Sequence, residues 1–145
     1  MADNHTKEKR SYNMSCVKNK DTKPEVFVRK YLFMNGFRYR KNDKRLPGHP
    51  DIVLPKYKTV IFVNGCFWHQ HEGCEYAVLP ETNKAFWKEK LEGNKRRDEK
   101  KIELLESTGW RVIVVWTCEL KPRMRQEKAS WLCQEIDSTN LLQAR

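Results

Sequence analysis

The segment Val60-Ile61-Phe62-Val63-Asn64-Gly65-Cys66-Phe67-Trp68-His69-Gln70-His71-Glu72-Gly73-Cys74 constrains this chain more than any other. An apolar, β-branched strand runs straight into a loop that holds two cysteines, two histidines and an adjacent Phe-Trp pair. Cysteine and histidine are the ligand types zinc prefers, and neighbouring aromatics suit stacking on bases. One loop thus offers a metal clip and a nucleic-acid wedge together. Upstream, Pro50-Asp51 opens a second apolar strand and adds a carboxylate.

A chain of 145 residues, 39% of them hydrophobic, is long enough for one domain with a real core. Its 29 Lys and Arg against 19 acidic residues leave a net charge of +10, which favours a polyanionic partner such as nucleic acid. A basic protein of another kind would share that balance, so the charge only narrows the field. The start, Met1-Ala2-Asp3-Asn4-His5-Thr6-Lys7, lacks the basic-then-apolar pattern of a signal peptide, and no apolar run approaches the ~20 residues of a membrane span. The expected location is the cytoplasm, with no membrane partner. In that reducing compartment Cys66, Cys74 and Cys118 read as metal ligands rather than a disulfide frame, and Cys16 and Cys133 as free thiols.

Residues 1–21 are polar and lysine-rich, with Met14 and Val17 the main apolar exceptions, and read as a basic arm that orders on a partner. The domain proper is expected over 22–145. Thr22-Lys23-Pro24-Glu25 fits a capping box that starts a helix running to about Asn35, where Gly36 stops it. Phe37-Arg38-Tyr39-Arg40 alternates as a strand does, and residues 51–63 make a hairpin between two buried strands. A long helix is predicted from near Thr82 to Gly109. Trp87, Leu91, Ile102 and Leu105 form its apolar stripe, and the 3.6-residue period puts Asn94 and Asp98 on that inward face. Arg111 to Trp116 is a buried strand, and a last helix spans roughly Arg123 to Asp137 with Trp131 and Leu132 facing in. Strands interleaved with helices imply an α/β fold around a central mixed sheet.

Cys66, His71 and Cys74 give a C-x4-H-x2-C cluster, and Cys118 completes a tetrahedral Zn²⁺ site if the strands ending at Val63 and Trp116 are sheet neighbours. His69 competes with His71 for the fourth place; otherwise it is free for another role. The bland rival makes Cys66 and Cys118 small buried hydrophobes and His71 an exposed loop residue. A second site is offered by Asp51, the carbonyl of Val63 and the inward Asp98, which can converge at one end of the sheet where Mg²⁺ takes oxygen ligands. His69 would then orient or deprotonate a water. Each has a rival: Asp51 as a turn residue after proline, Asp98 as an ordinary helix partner of Arg96, Arg97 or Lys101, and Glu25 as a capping group.

Taken in order, Arg10-Ser11-Tyr12-Asn13-Met14, Asp21-Thr22-Lys23-Pro24-Glu25, Leu46-Pro47-Gly48-His49-Pro50-Asp51, Val60 to His69, Phe86-Trp87-Lys88-Glu89-Lys90, Asn94-Lys95-Arg96-Arg97-Asp98 and Gly109 to Trp116 resemble the very-short-patch repair (Vsr) endonucleases across nearly the whole chain. The resemblance implies a restriction-endonuclease-like three-layer fold, a variant of the PD-(D/E)XK nucleases. It implies an enzyme that nicks one DNA strand on the 5′ side of the thymine in a T·G mismatch, the product of 5-methylcytosine deamination. A bacterial, DNA-associated repair enzyme linked to a cytosine-5 DNA methyltransferase follows.

Carried residue by residue, the resemblance makes Asp51 the aspartate shared by two Mg²⁺ ions and the Val63 carbonyl a further ligand. It makes His69 the base, Asp98 its acidic partner and Glu25 a carboxylate reaching the metal waters. Cys66, His71, Cys74 and Cys118 match a structural zinc site. Phe67, Trp68 and Trp87 match aromatics inserted beside the mismatch, and Met14 a wedge from the minor groove. Lys90 and Asn94 are candidates for contacts to the wobble pair. Unstacking costs roughly a few kcal/mol per step, and less at a mismatch, so insertion itself selects.

Two departures matter. Asn64 stands where the family's F-x-H-G-C-F-W-H motif has its first histidine, and asparagine cannot transfer a proton near neutral pH. Cys74 is displaced by an extra residue around Glu72-Gly73, which the glycine should absorb. The weakened position at Asn64 leaves a second reading open, a zinc-stapled module that binds mismatched or distorted duplex with little or no cleavage. A monomer is expected, because a mismatch in one strand is asymmetric and needs one cut.

Overall fold

The computed structural model describes residues 22–143, with side chains through residue 138. The arm over 1–21, with Met14 and Cys16, lies outside the described residues.

Helix α1 (Lys23–Met34) starts where the sequence places it: Thr22 is extended and its hydroxyl accepts the Glu25 backbone N–H at 3.4 Å, with Pro24 in the first turn. It ends at Asn35, and Gly36 follows with φ +89°, a left-handed conformation that a side chain would resist. The alternating stretch after it yields a shorter strand than its pattern suggests. Only Arg40–Lys41 pair as β1, because Phe37 turns into the core and packs on Tyr57 with ring centroids 5.4 Å apart.

Strands β2 (Ile52–Leu54) and β3 (Thr59–Asn64) form the expected antiparallel hairpin, joined through a 3-10 turn over Pro55–Tyr57 and Lys58 at φ +51°. Their run of β-branched residues buries both faces. The chain then crosses over through α2 (Lys84–Ser107) and returns as β4 (Arg111–Trp116), parallel to β3 with Val63 opposite Val115 and Asn64 opposite Trp116. The sheet order is β1-β2-β3-β4, and α3 (Arg125–Gln143) closes the described chain.

Alternation along the strands sorts the core into two sides. Ile52, Leu54, Ile61, Ile113 and Val115 pack with Val28 and Leu32 of α1 and Leu132 and Ile136 of α3. Val53, Val60 and Phe62 meet Leu105 of α2 on the opposite face. The result is three layers, helices on both faces of a mixed sheet. Leu105 is fully buried, and truncating it to alanine should cost about 2–5 kcal/mol. On α3, Leu132 faces in as expected but its neighbour Trp131 does not; it is 40% exposed beneath the Lys128 ammonium. Successive helical residues diverge by about 100°, so one helix face cannot bury both. Among the described residues, no helix is long and apolar enough to cross a membrane.

Because β3 and β4 are parallel, both end at the same edge of the sheet. The loop after Asn64 and the 3-10 turn Thr117–Leu120 therefore meet there. Open α/β sheets place their sites beyond such strand ends.

Candidate functional site

The loop after β3 is wound by its own backbone: Gly65 O accepts from the His69 N–H at 3.1 Å and Cys66 O from the His71 N–H at 2.9 Å. Gln70, at φ +49°, ties it further, donating through Nε2 to Phe67 O at 2.7 Å and Ala77 O at 3.3 Å. This winding sends His69 and His71 to different places.

His71 joins Cys66, Cys74 and Cys118, whose donor atoms all lie within 4.8 Å of one another. A tetrahedral zinc with Zn–S near 2.3 Å has ligand–ligand edges of about 3.8 Å, so the four need only a small contraction to hold one. The His71 ring lies flat on Trp116, centroids 4.1 Å apart and planes at 7°, with Nδ1 3.5 Å from Cys118 Sγ. Cys66 is buried, its sulfur 3.5 Å from the Thr117 hydroxyl. Burial and the adjacent Cys66 and Cys74 thiols push Cys118 up to about 12. Crowded thiols resist ionising together unless a cation shares their charge, and this donor set is the kind that holds zinc. Gly73, at φ +73°, turns the loop in a conformation that favours glycine, and Cys74 beside it reaches the cluster.

His69 turns to α2 instead. Its Nδ1 lies 2.5 Å from Asp98 Oδ2, a partner that selects the Nδ1–H tautomer and leaves Nε2 as the acceptor. The other Asp98 oxygen lies 3.0 Å from Lys101 Nζ. Burial works against the Asp98 carboxylate, but hydrogen bonds from His69 and Lys101 outweigh it and hold the pKa below its ordinary value. The inward position read from the helical period is thus occupied as expected, and the rival partner Lys101 is engaged at the same time.

Beside this pair opens a cleft of about 450 Å³ lined by Asp51, Val63, Asn64, His69, His49 and Lys101, among others. Asp51 Oδ2 accepts the Val63 backbone N–H across the hairpin at 2.7 Å, which ties the carboxylate to β3. Burial raises the Asp51 pKa against that bond and the nearby Lys101 and His69, leaving a carboxylate that gains from a cation. Among the described residues Asp51 is the one carboxylate lining this cleft, with the Val63 carbonyl and the buried Asn64 amide as further oxygen donors. Oxygen ligands with a single carboxylate fit Mg²⁺, which keeps much of its water. Glu25 is not on this wall. Its carboxylate accepts from Arg29 Nη1 at 2.8 Å, and both residues are buried.

The third component is an aromatic nest. Phe67 packs edge-on against Trp68 at 5.1 Å and Trp87 at 5.6 Å, and Trp87 meets Trp68 at 6.0 Å and Phe86 at 5.3 Å. Lys90 Nζ lies within 5.9 Å of the Trp68, Phe86 and Trp87 ring centroids, near enough for cation–π attraction. Asn94 is committed to the loop: its Nδ2 donates to Trp68 O at 3.2 Å and its Oδ1 accepts from Arg97. Next to the Asp51 cleft, sharing Asn42 and Lys44 with it, a second cleft of about 740 Å³ is lined by Arg29, Lys30, Arg40, Lys41 and Arg45.

Two residues of this neighbourhood, Trp116 and Phe86, carry no role in the sequence reading beyond a strand end and a neighbour of Trp87. Lys101 enters it only as one of three possible ion-pair partners of Asp98, and its i,i+3 spacing is the one the structure uses.

Residues 2–75 match the family model described as DNA mismatch endonuclease Vsr. The chain is 53% identical over 137 residues to the type II nicking enzyme V.NmeAIP of Neisseria meningitidis serogroup A, covering 94% of this chain and 97% of that one. It is 48% identical over 120 residues to the type II nicking enzyme V.XorIIP of Xanthomonas oryzae pv. oryzae, covering 83% and 88%. It is 39% identical over 148 residues to the DNA mismatch endonuclease Vsr of Escherichia coli (strain K12), covering 97% and 94%.

Proposed function

The chain belongs to the DNA mismatch endonuclease Vsr family, and on that premise we propose that it is a Mg²⁺-dependent enzyme that nicks one DNA strand 5′ of the T in a T·G mismatch. The observation that carries this reading is His69 on the wall of the Asp51 cleft, held from behind by Asp98 and close along the loop to the Phe67–Trp68 aromatic pair. A base with its tautomer fixed, a carboxylate for a cation and a set of stacking surfaces are what mismatch-directed phosphodiester hydrolysis needs.

In this reading Asp51, with the Val63 carbonyl and the Asn64 amide, holds Mg²⁺. The bound ion supplies Lewis acidity and neutralises charge that develops on the phosphate. His69 Nε2 accepts the proton of the water that attacks phosphorus, and Asp98 holds the ring in place as it becomes cationic. The leaving oxygen takes its proton from a water, because Asn64 has none to transfer. Phe67, Trp68 and Trp87 enter the duplex where a wobble pair has already weakened stacking. Lys90 is the contact proposed for the pair itself, and Asn94 acts by holding the Trp68 backbone. The Cys66, His71, Cys74 and Cys118 zinc site is structural, with no place for a water. The basic cleft beside Asp51 receives phosphates, the arm over 1–21 orders on DNA, and the protein acts as a monomer in the cytoplasm beside a cytosine-5 methyltransferase. The layered mixed sheet, with its carboxylate between the central strands, supports a PD-(D/E)XK relationship.

Asn64 favours one competing reading, a module that binds mismatches with little cleavage. Asp51→Ala separates the two. The enzyme reading requires wild-type protein to nick a T·G duplex and the variant to bind it unchanged without nicking. Tight binding by both proteins with no cleavage by either would leave the binding module.

A further inference from the structure

Lys101 has no part in the reaction proposed above, yet its placement is unlike that of a solvated helix lysine. Its side chain crosses Gly48 so closely that a Cβ there would lie 2.4 Å from Lys101 Cδ, and its ammonium sits 4.3 Å from the Phe62 ring centroid. Nζ then reaches Asp98 Oδ1 at 3.0 Å, while Asp98 Oδ2 holds His69. Both members of the ion pair are sheltered, the side chains of Lys101 and Asp98 being 18% and 15% exposed. Exposed i,i+3 pairs contribute little because water competes for both charges and neither side chain is held. Here the lysine stem is packed between a loop and a core ring, so the ammonium has one place to go.

A carboxylate pinned at a single oxygen can rotate about its χ angles. One pinned at both oxygens cannot, and Asp98 is pinned at both. Resting on the reading of His69 as the base, we propose that Lys101 is a positioning residue of this reaction: it fixes Asp98, and through Asp98 the orientation and tautomer of the His69 ring beside Asp51. Lys101 touches no reacting atom in this scheme. It differs from the lysines of the neighbouring basic cleft, which would contact phosphate and so act on binding.

The test compares Lys101→Met, Lys101→Arg, His69→Ala and the double variant His69→Ala/Lys101→Met, as full-length metal-loaded proteins on a T·G duplex. Lys101→Met should lower kcat by about 10- to 100-fold, the scale of a misplaced catalytic group, and leave KM and duplex affinity within about twofold. Lys101→Arg should restore most of the rate, since its planar donors reach the same carboxylate. In the His69→Ala background, Lys101→Met should cost nothing further, because the two act as one unit. An additive loss in the double variant, or a parallel rise in KM and in the dissociation constant, would overturn the proposal and make Lys101 a phosphate contact. An undiminished kcat would overturn it too.

A second readout does not depend on nicking. The ring ¹⁵N signals of His69 at about pH 8.5, well above an ordinary imidazole pKa of about 6.5, report the tautomer directly. The wild type should show the Nδ1–H form and Lys101→Met a mixture; identical spectra would refute the positioning role. If the wild type fails to nick any T·G duplex, the enzyme reading falls, and the ¹⁵N comparison still decides whether Lys101 orients the ring. Should Lys101→Met not fold, Lys101→Gln takes its place in both measurements.

Discussion

The Cys66-His71-Cys74-Cys118 cluster and the Asp51 cleft lie at the same end of the sheet and draw on the same loop, yet they are built by opposite rules. The cluster supplies three thiols and an imidazole within 4.8 Å, enough to fill a tetrahedron, and packs its histidine flat on Trp116. The cleft supplies one carboxylate, ties it to a backbone N–H, and opens about 450 Å³ to the outside. Two histidines only two positions apart divide between them: His71 finishes a closed site, and His69 faces an open one under the control of Asp98. A closed site holds structure, whereas an open one leaves room for a phosphate and its waters.

Breaking the cluster should have the largest effect. Cys66→Ser, or stripping the metal with a strong chelator, should unfold the loop and much of the domain, since structural zinc contributes on the order of 10–16 kcal/mol in small metal-dependent folds. Metal content by elemental analysis, followed alongside thermal unfolding, checks both halves of that statement. Asp51→Ala should do the reverse. It should abolish nicking, by on the order of 10³-fold, without loss of zinc or of duplex binding.

Exchanging the two histidines sharpens the contrast most. His71→Ala should release zinc and lower Tm, whereas His69→Ala should keep both and lose about 10²–10⁴ in kcat. Equal loss of stability in both variants would collapse the distinction between the two regions. Smaller still, alanine at Phe67, Trp68 or Trp87 should weaken binding to the mismatched duplex by about 1–3 kcal/mol each and leave binding to a matched duplex nearly unchanged. Competition binding with paired T·G and T·A duplexes measures that difference.

The smallest effect concerns the cost of the open site. Burial raises the Asp51 pKa in the metal-free protein, so folding favours its protonated form. The stability this confers is fully present below the ordinary carboxylate pKa of about 4 and is lost as pH rises through the raised value. Asp51→Asn should therefore raise Tm slightly at neutral pH in zinc-loaded, Mg²⁺-free protein, and the gain should shrink as pH falls toward about 4. Thermal scans of both proteins across that range test the sign.

Much of this arrangement is legible in the sequence because it depends on local period and on strand order. The parallel pairing that brings Cys118 to Cys66 follows from a strand, a long helix and a second β-branched strand, and the inward Asp98 follows from a 3.6-residue repeat with Leu91 and Leu105. What stays hidden depends on side-chain reach across the fold. Glu25 obeys its capping position, but the sequence does not show that its carboxylate also accepts from Arg29, four residues on, whose charge acts on Asp51. Asn94 faces inward as its period requires, yet it spends its amide on the Trp68 backbone. Lys101 is legible as a possible partner of Asp98, but not the packing that holds it there, because Gly48, which lets its stem through, lies 53 positions earlier. Trp131 fails for a simpler reason, since the face that buries Leu132 has no room for its neighbour.

The most direct test of the account is strand-resolved cleavage of end-labelled duplexes carrying T·G, T·A or C·G at one position in several flanking contexts, with Mg²⁺ or without added divalent metal. The account predicts a single nick on the 5′ side of the mismatched T, dependent on Mg²⁺ and on Asp51, with matched duplexes intact. Cleavage of matched and mismatched duplexes alike, or tight mismatch binding with no nick in any context, would contradict it.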